Sequence, residues 1–281
     1  MQESVPQVQN EPPICANCGA NLAGQYCHHC GQEHIRDPLA VKALVGDVAT
    51  HITDIEHAKG FRTLRVLLTQ PGRLTNEYCR GRRAPWIAPL KLYLTIFALS
   101  FFLYSAFKSV AVYDVSTLAA TEKSGHMTQL LSRIAEKSHV TLDAYTAAVN
   151  AKWRTYLSFA QIVYPVVFAI ALKLFYWRRR FMEHSVFSLH YQAFALLIVI
   201  IAWPLYFLVG LSLTQRSVVV AALVTLVMMA YLVLAIRAVY RQSWTAATIK
   251  GLLLYVAYYV IYVGITYSAL AAALIRARQS S

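Results

Sequence analysis

Five long apolar runs dominate the chain from Leu90 onward. They cover about Leu90–Val112, Tyr156–Trp177, Val186–Leu211, Val218–Ile236 and Ile249–Leu274. Each is close to the roughly 20 residues that a helix needs to cross a hydrocarbon core of about 30 Å. The apolar residues are continuous, not alternating. Single strands would leave backbone groups unpaired in lipid, so the runs predict helices. Between the first two runs, residues 113–155 form the longest polar interval. Leu130, Leu131 and Ile134 there have helical spacing, and Leu142–Trp153 predicts a turn or two leading into the second helix.

The pattern before Leu90 differs. Val41, Leu44, Val45, Val48, Ile52 and Ile55 mark one apolar face of a helix over 38–60, with Gly60 as its expected stop. Such a helix could lie in the membrane interface or pack on the bundle. Asp47, His51 and Asp54 share a stripe on it. That stripe reads as a solvated polar face or, less simply, as a metal or proton site. Pro71-Gly72 then predicts a turn between two short helices.

Composition agrees with this division. The 281 residues are 58% hydrophobic and 14% charged, against about 45–50% and about 25% in soluble chains. The net charge is +13. With so many apolar runs, an anionic membrane surface explains it more simply than nucleic acid does. Seven basic residues (Arg62, Arg65, Arg73, Arg80, Arg82, Arg83 and Lys91) and one acid, Glu77, fall between Phe61 and Lys91. They read as charges that hold this end in the cytoplasm, and the arginines also as contacts for lipid headgroups or a protein partner. Arg178, Arg179, Arg180, Arg237, Arg241 and Lys250 fall on the same side, for thirteen against nine on the other. The N-terminus is therefore expected inside and the C-terminus outside. The first 35 residues are polar and lack the apolar core of a signal peptide, so targeting is expected from the first transmembrane helix.

Residues 14–34 contain Cys15-Ala-Asn-Cys18 and Cys27-His-His-Cys30, eight residues apart, each second cysteine followed by glycine. Two such knuckles supply four thiolates for a closed, structural zinc site. Two disulfides are the rival reading, and they need an oxidising compartment. His28 and His29 read as exposed, because four sulfurs already fill a tetrahedral shell. Cys79 stands alone. Residues 1–13 read as a disordered tail.

In the bundle, His190 and Gln192 near the start of the third run and Tyr255, Tyr258, Tyr259 and Tyr262 in the fifth are the candidates for a polar site. Their bland reading is structural packing. Pro165 and Pro204 could kink the second and third helices.

The ordered series Cys-x-x-Cys-Gly-Gln, Phe-Arg-Thr-Leu, Pro-Gly, Tyr-x-x-Gly-x-Arg and Pro-x-x-x-Tyr-Leu resembles a family of uncharacterised bacterial membrane proteins. That family is defined by a domain of unknown function behind a short zinc ribbon. The matching positions are Arg62, Thr63, Leu64, Pro71, Gly72, Tyr78, Gly81, Arg83, Pro89 and Tyr93, with Trp86 as the aromatic before the second proline. The resemblance implies a multi-pass protein of the bacterial inner membrane and carries no activity.

The expected architecture is thus all-α, with about five transmembrane helices in 90–276, a zinc ribbon, and a juxtamembrane helical segment over 38–89. Motifs for nucleotide binding, serine hydrolysis and zinc proteolysis are lacking. A non-enzymatic adaptor, assembly or regulatory protein is the first reading. A small-solute or lipid transporter is the second, and a lipid-modifying enzyme the third.

Overall fold

The computed structural model describes residues 13–35, 37, 39, 44, 57–106, 114–122, 124–204 and 213–279. The Asp47/His51/Asp54 stripe and most of the predicted 38–60 helix lie outside them. Leu44 is described, and it is buried in the main core.

The described residues form helices α1 (His57–Thr69), α2 (Arg73–Cys79), α3 (Pro89–Ala106), α4 (Val115–Thr121), α5 (His126–Lys137), α6 (Leu142–Phe175), α7 (Phe181–Ala202), α8 (Leu213–Tyr240) and α9 (Trp244–Gln279). Four helices, α6 to α9, are long and apolar enough to cross a membrane, and α3 is a shorter apolar helix. The chain is a multi-pass helical membrane protein. The fold expected from the apolar runs is present.

Helix boundaries depart from the runs where local chemistry overrides hydropathy. Gly60 does not stop a helix; it lies inside α1. A glycine costs a helix interior only about 1 kcal/mol, and the apolar face continues past it through Val66 and Leu67, both buried. Pro204 does not kink α7, which has already ended at Ala202. Pro165 does sit inside α6. Having no N–H, it frees the carbonyl of Gln161. The Tyr93 hydroxyl of α3 donates to that carbonyl at 2.5 Å. In lipid the vacated acceptor would otherwise cost several kcal/mol, so this bond fixes α3 against α6.

α6 and α9 have 34 and 36 residues, or about 51 and 54 Å at 1.5 Å per residue. They outreach the hydrocarbon core by about 20 Å. The excess is used at the end remote from the cysteines. There α4, α5 and the first turns of α6 close a second apolar core on the last turns of α9. Val115, Tyr145, Val149, Trp153, Leu270 and Ala273 are buried in it. Tyr145 donates to the carbonyl of Leu274 at 3.0 Å, and the Trp153 indole donates to that of Thr266 at 3.2 Å. The Asn150 side chain accepts the Val115 amide at 2.9 Å and starts α4. The predicted long polar interval is therefore a helical cap.

Candidate metal centre and its juxtamembrane platform

At the other end the chain has too few residues to bury a core. Two tight knuckles take its place. The amide of Gly19 donates to Cys15 at 2.9 Å and that of Gly31 to Cys27 at 2.8 Å. Both glycines have positive φ, 78° and 71°, where a side chain would be strained. Short bridges pair Ile14 with Asn21 and Tyr26 with Glu33. These turns aim all four sulfurs inward, to within 4.8 Å of one another.

The sulfurs are free thiols. Cys15 and Cys30 are 3.6 Å apart, and Cys18 and Cys27 3.5 Å. The edge of a tetrahedron with metal–sulfur bonds of about 2.3 Å is about 3.8 Å. The cluster thus fits one tetrahedral cation. The four sulfurs influence one another's charge. The Cys30 amide, ahead of the other contacts, lowers the Cys27 thiol to about 6. For Cys18 the Ala20 amide favours the thiolate, but burial and the neighbouring sulfurs push it up to about 12. Four negative sulfurs this close repel one another, and a cation relieves that repulsion. A fourfold sulfur shell leaves no position for water or substrate.

The Gln32 side chain fastens the head to residues 81–84 of the membrane domain. Gln32 donates to the carbonyl of Gly81 at 2.8 Å, and its own carbonyl oxygen accepts the amides of Arg83 and Ala84 at 2.9 and 3.0 Å. Between head and loop lies a crevice of about 70 Å³ lined by Cys15, Leu22, His34 and Arg83 among others. Outside the head, Asp37 receives both guanidinium nitrogens of Arg180, at 2.9 and 2.6 Å.

The platform beneath is the α1–α2 hairpin. Gly72 has φ 81° at its turn, and a Cβ there would meet Val239 of α8 at 2.9 Å. This is why the turn needs glycine: it must both adopt a left-handed backbone and touch a neighbouring helix. Thr75 of α2 shares a 3.0 Å hydrogen bond with His190 of α7, and Asn76 donates to the carbonyl of Ala238 at 3.2 Å. Thr63 accepts the amide of Ile87 at 3.1 Å. The Arg83 guanidinium lies 4.0 Å over the Tyr78 ring.

The predicted arginines therefore do different things. Arg83 is half-buried in the platform. Arg82 lies 3.6 Å from Glu77, and Arg73 sits 5.8 Å over Trp86. Arg62, Arg65 and Arg80 are exposed. Cys79 is largely shielded, and burial pushes its thiol up to about 12. His28 is exposed.

The candidate polar residues of the bundle do not form one site. His190 bonds Thr75 on the α2 side. Gln192 and Tyr258 exchange hydrogen bonds with each other at 2.8 and 3.2 Å. Tyr258 and Tyr262 pack on Tyr164, Tyr255 packs against the main core, and Tyr259 faces outward. Gln32 and Thr75 were missed by sequence reasoning. Gln32 did fall within the Cys-Gly-Gln motif, but nothing local announces a partner 49 residues away.

These features define a class: a multi-pass helical membrane protein whose four-cysteine head, able to hold a metal ion, is seated on a juxtamembrane hairpin. Residues 59–101, which hold that hairpin and most of α3, match a family model described as "Protein of unknown function (DUF3667)". No curated protein and no solved structure matches the chain.

Proposed function

We propose that the protein is a non-enzymatic adaptor, assembly or regulatory factor of the bacterial inner membrane, with a structural zinc in a cytoplasmic head. The observation that carries this reading is the Gln32 clamp. A head held by three hydrogen bonds to residues 81–84 is a fixed platform, not a tethered module. It presents Tyr26, 60% exposed, and Ile14, 63% exposed at the lip of the crevice beside Gly81 and Arg83. Large exposed side chains on a rigid, non-catalytic scaffold suit recognition of a protein. Zinc is the favoured cation because four thiolates in a tetrahedron select it over harder ions. The basic excess on the head side supports the cytoplasmic placement, as does the need of the thiolates for a reducing compartment.

A photo-cross-linking residue at Tyr26, in intact membranes, tests the reading. A discrete protein adduct is expected, lost on Cys15→Ser/Cys18→Ser while the chain remains inserted. Elemental analysis of the purified chain should find one zinc per molecule. Tyr26 adducts indifferent to the cysteine changes would sink the proposal.

A further inference from the structure

The outer face of α1 has a pattern that the head does not use. Successive helical residues advance about 100° around the axis. Thr63, Val66 and Leu67 point inward and are buried. On the opposite side, Phe61 and Leu68 are exposed, Phe61 at 72%, with Leu64 half-buried beside them. Next to this apolar strip, on the same outward side, come the exposed Arg62 and Arg65. Neither arginine pairs with a carboxylate among the described residues. One helix face thus carries a narrow apolar strip and a narrow cationic strip in parallel.

A second observation sets the level of this helix relative to the bilayer. Three arginine–tryptophan pairs ring the head-side end of the bundle. Arg73 lies over Trp86 just before α3, Arg178 over Trp177 just after α6, and Arg237 of α8 over Trp244 of α9 at 4.2 Å. Trp177 and Trp244 are themselves exposed. Tryptophan favours the headgroup level, with its ring in the acyl boundary and its edge wet. Arginine over such a ring keeps its charge at the phosphate plane. α1 packs on α2 and on α7, so it lies at this same end.

The geometry points to α1 as an interfacial helix that binds anionic phospholipid, with Phe61 and Leu68 among the upper acyl carbons and Arg62 and Arg65 against headgroup phosphates. The occupant is the leaflet of the membrane that the protein crosses. Charge complementarity and continuity with the arginine–tryptophan ring both select it. The inference rests on the head side facing an anionic leaflet, and it is independent of any protein partner at Tyr26.

The full chain, reconstituted in phosphatidylcholine vesicles containing a minority of phosphatidylglycerol, provides the test. A photoreactive aromatic residue replaces Phe61, and the mass of the adduct identifies what it touches. The expected adduct is a phospholipid, with phosphatidylglycerol enriched over its share of the vesicle. Arg62→Gln and Arg65→Gln should each lower that enrichment by roughly fivefold, since a basic residue at an anionic surface is worth about that factor. Retained metal content shows that the variants fold. An adduct with another segment of this chain, an adduct with a second protein, or a lipid adduct that simply follows bulk composition would each overturn the proposal. Failure here with a protein adduct intact at Tyr26 removes the lipid site alone. Failure at Tyr26 with lipid adducts intact removes the adaptor reading alone.

Discussion

The two ends of this membrane bundle solve one problem by opposite means. Each must order a short polar segment outside the lipid. At the cap end the chain lengthens α6 and α9 beyond the bilayer and buries side chains between them: Trp153, Tyr145 and Val149 against Leu270 and Ala273. At the head end there is no such length. Residues 13–35 contribute a core of Cys15, Leu22 and Cys27 with little else. Apolar burial is worth about 25 cal/mol per Å², so three small residues cannot repay the ordering of two dozen. A four-sulfur cluster and a polar clamp stand in for the missing core. The lesson is that the cap should be indifferent to metal and the head to hydrophobic truncation at a distance.

The sharpest break in that comparison is Cys15→Ser with Cys27→Ser. Structural zinc supplies roughly 10–16 kcal/mol to small modules of this kind. With the zinc proposed for the head, the double variant should bind no metal and become open to protease within residues 14–34. The digestion pattern of residues 114–137 should not change. Cap cleavage that rises together with head cleavage would show that the two ends are not independent.

The reverse experiment is Trp153→Ala. Removing a buried tryptophan costs about 3–5 kcal/mol, and here it also releases the carbonyl of Thr266. New protease sites should appear in α4 and α5 while metal content stays at the native level. A fall in bound metal would contradict the separation.

Between these lies Gln32→Ala. The side chain holds the Gly81 carbonyl and the Arg83 and Ala84 amides. A net hydrogen bond contributes about 0.5–1.5 kcal/mol, and unsatisfied buried groups cost more. The head should keep its metal yet come off its platform. Amide exchange at residues 83 and 84 should quicken, and cross-linking yield at Tyr26 should fall. Loss of metal instead would mean that the clamp helps to build the site and does not merely seat it.

How much of this was legible in the sequence follows physical range. The paired Cys-x-x-Cys-Gly turns were readable because each knuckle is closed by its own neighbours, down to the positive φ of Gly19 and Gly31. The membrane helices were readable because lipid imposes its requirement on every residue in turn. The turn at Pro71-Gly72 was readable too, but its reason was not: the glycine also makes room for Val239, 167 positions on. Tyr93, Gln32 and Thr75 each satisfy a group brought near only by tertiary packing: the Gln161 carbonyl, residues 81–84 and His190. Local periodicity has no term for such pairs. The same limit explains Gly60, where packing of Val66 and Leu67 carries α1 through a residue whose own propensity favours a stop. His190 and Tyr258 shared a list of polar candidates on sequence grounds, yet they face different helices.

The smallest expected effect belongs to the second tie between head end and bundle, the pair of Asp37 and Arg180. The hydrogen bonds of Arg180 hold the Asp37 carboxyl below its ordinary value. A carboxylate lowered in the folded state stabilises it at pH values above the unfolded pKa of about 3.9, and the contribution fades as pH falls through the lower, folded value. Both side chains are exposed, so water and salt screen the attraction. Asp37→Asn should therefore loosen the segment after the head slightly at neutral pH, less so in high salt, and progressively less as pH falls through the lowered pKa of the folded carboxyl, where the native side chain loses its charge as well. Amide exchange at Leu39, whose N–H donates to Asp37 at 3.0 Å, reports this directly. A native-to-variant difference that did not change with pH or salt would assign the tie to the Leu39 amide hydrogen bond and not to charge, leaving the Gln32 clamp as the polar seat of the head.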